Sequence, residues 1–228
     1  METSAAVRPI PGSASDERLV ALVRDGSEPA FEVLYDRHVR GILGFCRQLL
    51  GSTEEAEDAV QHTFLAAYRD LLASEKPIQL RPWLYTIARN RCYTLLRERR
   101  GQLLTPADEP STEHLSSAVQ RRQDLRDLLA DVAALPDDQR AAIVLAGLGA
   151  LPHDEIATVL AVPRDKVKAL VYQGRSSLIA SRKARDTPCE EIRLQLARLR
   201  DGIPRRTTVR RHLHECLGCR EFRLVPHG

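Results

Sequence analysis

Apolar side chains recur every three or four residues along most of this chain, which is the spacing of one face of an α-helix. The clearest case lies between Ser27 and Gly51, where the apolar positions are Phe31, Leu34, Tyr35, Val39, Ile42, Leu43, Phe45, Cys46 and Leu49. No segment shows the period-two alternation typical of strands. Aromatic residues make up only 4% of the chain, while leucine, alanine and arginine dominate. The sequence therefore predicts an all-α fold.

Capping residues indicate where several of these helices begin and end. Ser15 precedes two acidic residues in a predicted first turn, and Gly26 follows the end of that helix. Ser52 and Glu55 have the spacing of a capping box. Pro82 stands near the start of a fourth helix, because proline is tolerated in a first helical turn. Four helices are thus expected before residue 101.

The order of segments divides the chain into five parts. Residues 1–14 contain proline, glycine and alanine and are expected to form a flexible tail. Residues 15–100 form a first helical domain. Residues 101–123 have two prolines and no clear period, and we interpret them as a linker. Residues 124–185 form a second helical domain, and residues 186–228 a short third unit with a helical hairpin.

Charge is distributed unevenly, although the net charge is only +3. Arginines concentrate in residues 89–100, and arginines and lysines in residues 164–185. Residues 51–75 are instead rich in glutamate and aspartate. This separation favours distinct surfaces for distinct partners.

The compartment follows from two absences in the sequence. The N-terminal residues lack the apolar core of a signal peptide, and no run of about 18 apolar residues occurs. We therefore expect no membrane span and a cytoplasmic location. Thiols stay reduced there, so the five cysteines do not predict disulfides.

The segment "HDEIATVLAVPRDKVKALVYQGRSSL", residues 153–178, has the layout of a helix-turn-helix. In its second helix an inner apolar stripe leaves four residues facing outward: Arg164, Lys168, Tyr172 and Arg175. Such a face suits the major groove, where cations bind phosphates and polar side chains reach base edges. The alternative is an ordinary helical hairpin with a solvated basic face.

These segments together resemble the extracytoplasmic-function (ECF) group of the bacterial sigma-70 family. "EIATVLAVPRDKVKALVYQGRSSL" resembles region 4.2, and "LPDDQRAAIVL" resembles region 4.1. "AEDAVQHTFLAAYRDL" is similar to region 2.2, and "RPWLYTIARNRCYTLLRERR" is similar to regions 2.3 and 2.4. The resemblance covers roughly residues 16–185.

The resemblance implies a transcription initiation factor that is not an enzyme. Such a factor binds core RNA polymerase, at its clamp helices and flap, and recognises promoter DNA at the −10 and −35 elements. The implied polymerase contacts are Asp58, Gln61 and Thr63, on the outer side of the third helix. The implied −10 contacts are Trp83, Tyr85, Arg89, Asn90, Arg91 and Arg97, with Trp83 and Tyr85 stacking on unpaired bases.

Further expectations concern the same two DNA elements. The loop 74–82 lies where the family captures a flipped −10 base. The four outward residues of the helix-turn-helix become the −35 contacts. Trp83 has a second interpretation, a core aromatic at the foot of its helix.

Four positions depart from the family pattern. His62 replaces an acid in region 2.2, and Thr94 replaces an aspartate in region 2.4. Ala161 stands where the turn of region 4 has glycine. Leu170 replaces a frequent arginine of the recognition helix, and an apolar side chain could at best meet a thymine methyl. We therefore expect an unusual or weaker −35 preference.

The third unit carries the pattern of a metal site. His212, Cys216 and Cys219 are spaced i, i+4 and i+7, which aligns them on one face of a helix. A capping box at Thr187 and Glu190 places Cys189 in the first turn of the preceding helix, where a hairpin brings it beside the other three. One histidine and three thiolates suit a tetrahedral, structural zinc site.

This arrangement also resembles the zinc-binding anti-sigma domain, which is normally part of a separate protein. The alternative is that these thiols are incidental. His214 is a poor ligand because it points off the ligand face, and Cys46 and Cys92 are expected in the core.

Three roles for the tail stay open. They are self-inhibition, oxidation sensing through the thiolates, and a third in which the tail either docks another regulator, such as an anti-sigma protein, or helps the polymerase engage DNA. For the whole chain, the competing class is a helix-turn-helix regulator that acts without polymerase. An enzyme has little support, because no phosphate loop, nucleophile elbow or carboxylate pair is present.

Overall fold

The structure is a computed structural model that describes residues 14–101, 117–198 and 207–224. Within these residues all regular structure is helical, which confirms the predicted all-α class. No helix among them is long and apolar enough to cross a membrane. The helices are α1 (Asp16–Arg24), α2 (Glu28–Leu50), α3 (Thr53–Ala73), α4 (Leu80–Gly101), α5 (Ser117–Ala133), α6 (Asp137–Gly147), α7 (His153–Leu160), α8 (Arg164–Asp186), α9 (Cys189–Ala197), α10 (Thr207–Glu215) and α11 (Leu217–Leu224).

Helix ends in the first domain follow the capping signals in the sequence. The Ser15 hydroxyl accepts a hydrogen bond from the Arg18 N–H, and the Ser52 hydroxyl accepts one from the Glu55 N–H, both at 3.4 Å. Gly51 closes α2 in the left-handed region, with φ 70°. These contacts satisfy backbone groups that a helix terminus leaves without intrahelical partners.

The first domain, α1 to α4, buries the apolar stripes of its helices in one core. Phe45 of α2, Phe64 of α3 and Leu84 of α4 are each at most 4% exposed. Cys46 and Cys92 are fully buried in the same core and are free thiols, as the sequence predicts. Burial of a large apolar side chain contributes about 1.5–3 kcal/mol, so this core holds the four helices together.

The second domain contains the helix-turn-helix, formed by α7 and α8. Val159 and Val167 are fully buried across the turn. Ala161 ends α7 with φ 54° and ψ 43°, in the left-handed region where this family usually has glycine. Gly174 lets α8 approach α6 closely, because a Cβ atom at this position would lie 2.6 Å from Cγ1 of Ile143.

The two domains pack against each other. α4 lies along α7 and α2 lies along α6. One cluster of buried apolar residues runs from Leu19 in α1 to Val171 in α8 without a break. The sequence predicts the two domains but not this contact between them.

The predicted linker, residues 101–123, is only partly described. Residues 102–116 lie outside the described residues, but α5 begins at Ser117. The helical part of the second domain thus starts earlier than the predicted boundary at residue 124. Of the predicted flexible tail, residues 1–14, only Ala14 is described.

The third unit consists of α9, α10 and α11 and has a small core of its own. Ile192, Val209, Leu213 and Cys219 are buried together. Two local predictions are wrong here. The helix that was expected to carry the ligand spacing breaks at Cys216, so two helices, α10 and α11, stand where one was predicted.

The predicted capping box at Thr187 and Glu190 does not form either. The Thr187 hydroxyl donates to the carbonyl oxygen of Lys183 at 2.7 Å, so it closes the end of α8 instead of opening α9. Pro188 occupies the N-cap position of α9, and no side chain caps that end. Cys189 is nevertheless the first residue of α9, as predicted.

Candidate nucleic-acid interface and metal centre

The four predicted metal ligands converge, although they come from three helices and the break between two of them. One ligand atom from each of Cys189, His212, Cys216 and Cys219 lies within 4.8 Å of the others. Cys189 Sγ is 3.6 Å from His212 Nε2 and 3.8 Å from Cys216 Sγ. Tetrahedral zinc would set sulfur and nitrogen ligands about 3.6 Å apart and two sulfurs about 3.8 Å apart. The donor set and its spacing therefore fit a metal ion of this kind.

His212 is oriented for ligation by a contact with α8. It is 5% exposed, and its Nδ1 lies 2.8 Å from the carbonyl oxygen of Ala184. A carbonyl oxygen only accepts, so the proton of the neutral ring sits on Nδ1 and Nε2 keeps a free lone pair. Metal-binding histidines commonly have such an outer partner.

The thiols of the cluster differ in acidity. The backbone N–H of Cys219 and neighbouring side chains lower the pKa of Cys216 to about 7. Burial raises the pKa of Cys219 to about 11. Since the thiolate is the form that binds metal, Cys216 gives up its proton more readily than Cys219. His214 is exposed and lies outside the cluster, as predicted.

Two arginines make contacts at the second half of α8: Arg211 from the third unit and Arg185 from α8 itself. Arg211 of α10 donates to the carbonyl oxygen of Ser177 and to the hydroxyl of Ser181, each at 2.5 Å. Arg185 of α8 forms a bidentate pair with the buried Asp131 of α5, at 2.8 and 2.5 Å. The hydrogen bond to Asp131 raises the pKa of Arg185 above its usual range.

Sequence reasoning did not single out these contacts. Arg185 appeared only as one cation of a basic segment, and Arg211 did not appear at all. Arg211 contacts Ser177 and Ser181, which lie 34 and 30 residues earlier in the chain. No short sequence motif predicts a contact over such a separation.

The second helix of the helix-turn-helix presents all four predicted −35 residues to solvent. Arg164, Lys168, Tyr172 and Arg175 are exposed, and Tyr172 reaches 74%. Arg164 pairs with Asp154 and Lys168 with Asp165, both at 3.0 Å. Exposed pairs contribute little to stability, so the cations are available to phosphates.

Leu170 does not belong to that exposed face. It is 5% exposed and lies in the hydrophobic core. The expectation that its side chain could meet a thymine methyl is therefore wrong, because Leu170 faces the first helices of the domain and not the groove. Its neighbours Val167 and Val171 are buried with it, as predicted.

The predicted −10 residues of α4 divide into two groups. Asn90 and Arg97 are exposed and line a cavity of about 360 Å³ together with Asp137. Trp83 is half-buried against the core. Tyr85 is 4% exposed, so the prediction that it stacks on unpaired bases is wrong.

Tyr85 is buried because its ring packs edge-on against Phe45, with centroids 5.4 Å apart. Burial raises the pKa of its hydroxyl. The spacing contained a signal for this placement, since Tyr85 lies three and seven residues before the buried Ala88 and Cys92. A stripe of this spacing belongs to one helix face.

Two arginines of α4, Arg81 and Arg89, are bonded to the second domain. Arg89 donates from Nη1 to the carbonyl oxygen of Val159 in α7 at 3.3 Å. Arg81 donates to the carbonyl oxygen of Gly149. Tyr93, which the sequence did not single out, donates to Asp138 at 3.2 Å. Arg91 is half-buried. The face of α4 that carries Arg89 is thus turned toward α7 in this structure.

On α3, two of the three predicted polymerase contacts are exposed. Asp58 and Gln61 face solvent. Thr63 is fully buried, and its hydroxyl donates to the carbonyl oxygen of Ala59 at 2.6 Å. The predicted outer position of Thr63 is therefore wrong. It stands one turn after Ala59 and one before Ala67, within the apolar stripe.

The loop before α4 borders a cavity of about 490 Å³. Its lining includes Pro77, Gln79 and Arg81 from the predicted base-capturing segment, together with Asp16 of α1 and Glu155 of α7. Both domains therefore contribute to this cavity.

Comparison with known proteins identifies the family. The family description "Sigma-70 region 2" matches residues 34–102, and "Sigma-70, region 4" matches residues 125–178. Together these spans cover more than half of the chain. The chain belongs to the sigma-70 family. It is a sigma factor of the ECF group, and thus a transcription initiation factor.

Individual relatives agree with this assignment. The chain is 30% identical over 158 residues to the RNA polymerase sigma factor CarQ of Myxococcus xanthus, covering 68% of this chain and 90% of CarQ. It is 27% identical over 175 residues to the ECF RNA polymerase sigma factor SigW of Bacillus subtilis, covering 71% of this chain and 94% of SigW.

A solved structure of CnrH in complex with the cytosolic domain of CnrY has a similar fold. Its TM-score is 0.58 at 26% identity, and the match covers 75% of this chain and 99% of that chain. The matches to regions 2 and 4 end at residue 178, before the third unit begins. A regulator without a region 2 domain, the competing class, is not favoured.

Proposed function

We propose that this sigma factor binds core RNA polymerase in the cytoplasm, directs it to promoters, and has no reaction of its own. In this proposal the exposed face of α3 with Asp58 and Gln61 meets the clamp helices, and the second domain meets the flap. α4 recognises the −10 element and α8 the −35 element. A separate regulatory protein is a further expected partner, since the related CnrH is bound by the cytosolic domain of CnrY.

The observation that carries the proposal is the exposed stripe on α8. At about 100° per residue, Arg164, Lys168, Tyr172 and Arg175 fall within an arc of about 80°. This arc is what a recognition helix presents to the major groove. The cations neutralise phosphates, and the Tyr172 ring contacts base edges or methyl groups.

Recognition of the −10 element uses residues of α4 that are already exposed, together with residues that reach solvent when the domains separate. Asn90, Arg97 and Trp83 supply base and phosphate contacts in this proposal, joined by Arg89 and Arg91. In the packed arrangement Arg89 is bonded to Val159. We therefore expect separation of α4 and α7 to accompany promoter binding.

For the third unit we propose a structural zinc site formed by Cys189, His212, Cys216 and Cys219. Four protein ligands leave no open coordination position, which favours a structural role over catalysis. A purified chain should contain about one zinc per molecule. Replacement of Cys216 by serine should abolish binding, whereas replacement of the buried Cys46, outside the cluster, should not. Retention of zinc by the Cys216→Ser chain would contradict this site.

The promoter-directing function is tested by run-off transcription with core polymerase and by binding to −35 duplex DNA. Lys168→Ala should weaken DNA binding and lower the dependence of log K on log salt by about one unit. Lys166→Ala is the matched control, because Lys166 is exposed on the opposite side of the same helix. Equal effects of the two substitutions, or no association with core polymerase, would refute the proposal.

A further inference from the structure

The third unit is attached to the recognition helix on the side that faces away from the proposed DNA surface. α10 packs on α8. Its partners there are Ser177, Ser181 and Ala184. At about 100° per residue, these three positions lie about 140–180° around the helix from the middle of the −35 stripe. The stripe stays exposed, so the third unit leaves the DNA-reading face open.

The second half of α8 depends on this attachment for its packing. Val167, Leu170, Val171 and Gly174 are buried in the first half, where α6 and α7 cover the helix. Beyond Gly174, Ala184 is the fully buried residue of α8. A helix segment with few buried contacts frays easily, because most helical stability in proteins comes from tertiary packing. α10 and α5 are the helices that pack on this segment.

His212 connects the metal cluster to that segment. One ring nitrogen faces Cys189 Sγ at 3.6 Å, and the other lies 2.8 Å from the carbonyl oxygen of Ala184 in the last turn of α8. A metal bound to Nε2 fixes the proton on Nδ1, which is the form that donates to Ala184. Metal binding at Nε2 and the hydrogen bond to Ala184 therefore both favour the His212 ring that carries its proton on Nδ1.

Arg185 extends the connection to the first helix of the domain. It pairs with the buried Asp131 of α5, and its Nη1 is 3.6 Å from Glu215 of α10. The last turn of α8 is thus the place where α5, α8 and α10 meet. Ordering of α10 by the metal cluster stabilises this junction.

We propose that the third unit is a metal-dependent splint for the recognition helix: it orders the second half of α8 from behind and thereby strengthens −35 binding. This inference rests on the proposed metal site and the proposed −35 function. Of the roles left open by the sequence, it favours help in engaging DNA over self-inhibition.

The direct test separates docking from metal binding. Arg211→Ala removes the contacts to Ser177 and Ser181 but is not a metal ligand. Arg210→Ala is the matched control, since Arg210 is the exposed neighbour on the same helix. In the full chain loaded with Co²⁺, whose absorption spectrum reports the ligand set, both variants should keep the spectrum. Only Arg211→Ala should speed amide hydrogen exchange in residues 177–186.

The functional readout is the affinity of the same proteins for a −35 duplex. We expect Arg211→Ala to weaken binding about threefold to tenfold, the size expected when one or two hydrogen bonds are lost. Removal of metal from the wild-type chain by a chelator should weaken binding and speed the same exchange. Unchanged exchange and affinity would overturn the splint, and tighter DNA binding would show that the tail inhibits.

The outcomes distinguish a failure of this inference from a failure of the proposed metal site or of the proposed −35 function. Absence of a Co²⁺ spectrum in the wild-type chain refutes the metal site and the metal dependence. An unaffected Lys168→Ala chain refutes the −35 surface. The exchange result for Arg211→Ala is obtained without DNA and at unchanged metal occupancy, so it tests the docking of α10 on α8 separately from the −35 surface.

Discussion

Arg89 of α4 donates a hydrogen bond to the carbonyl oxygen of Val159 in α7, with 3.3 Å between Nη1 and O. The same guanidinium lies over the ring of Tyr93, 4.8 Å from its centroid. A side chain proposed to contact the −10 element is therefore held by the domain proposed to contact the −35 element. The two proposed DNA-binding surfaces therefore meet at one interface in this structure.

We expect Asp138→Ala to loosen this interface. Asp138 is exposed on α6 and accepts the hydrogen bond of the Tyr93 hydroxyl, whose pKa burial raises to about 12. Loss of one such bond costs about 0.5–1.5 kcal/mol. Amide exchange in α7 should become faster, and the radius of gyration from X-ray scattering should increase. Asp70→Ala, an exposed substitution on α3, is the control, and equal behaviour of both variants would count against the role of Asp138.

Ala161→Gly should stabilise the helix-turn-helix. Ala161 has φ 54°, and the left-handed conformation costs a non-glycine residue about 1–2 kcal/mol. Part of this gain is offset because glycine is more flexible in the unfolded chain, so we expect about 1 kcal/mol and a melting temperature raised by about 2–4 °C. Ala169→Gly, in the regular part of α8, should destabilise by about 1 kcal/mol. A lower melting temperature for Ala161→Gly would contradict the structure at this turn.

Gly174→Ala should destabilise the second domain although alanine is the better helix former. The new methyl group would lie 2.6 Å from Cγ1 of Ile143, so α6 and α8 would have to move apart. Overpacking of this kind costs about 1–3 kcal/mol, measured as a shift in the urea midpoint. Gly44→Ala meets no atom within 4 Å and is the control. In the Gly174→Ala background, the second substitution Ile143→Ala should relieve this clash. A Gly174→Ala chain as stable as the wild type would show that the clash does not occur.

Stability should depend on pH through His38. Burial lowers the pKa of its ring below the usual 6.5, although Asp16 opposes this effect from 2.9 Å. Since the unfolded state binds the proton more readily, the contribution of neutral His38 is present above about pH 6.5 and is lost as the pH falls below it. Urea midpoints between pH 8 and pH 5 should fall less steeply for His38→Gln than for wild type. Parallel profiles would rule out this contribution.

The candidate site was predictable where its geometry is local. Arg164, Lys168, Tyr172 and Arg175 share one helix face by spacing alone, and all four are exposed. His212 and Cys216 are one helical turn apart, so they converge even though α10 ends between them. Cys189 joins them because it lies three residues after the end of α8, the helix whose Ala184 contacts His212.

Two predictions of exposed site residues, Thr63 and Tyr85, followed from the family resemblance and were wrong. Thr63 and Tyr85 lie in the apolar stripes of α3 and α4, and both are buried. Thr63 follows Ala59 by four residues and Tyr85 precedes Ala88 by three, so helical spacing alone places both on the buried faces of their helices. Helical periodicity was the better guide to exposure at these positions.

The sequence by itself determined most of the helices, the caps at Ser15 and Ser52, the helix-turn-helix and the spacing of His212, Cys216 and Cys219, because each depends on residues a few positions apart. Only the tertiary structure decided that α7 covers part of α4 and that α10 lies behind α8. The contacts that hold these pairs end largely on backbone carbonyls, those of Val159, Ser177 and Ala184. Every residue has such an oxygen, so these partners leave no pattern in the sequence and become visible only once the chain is folded.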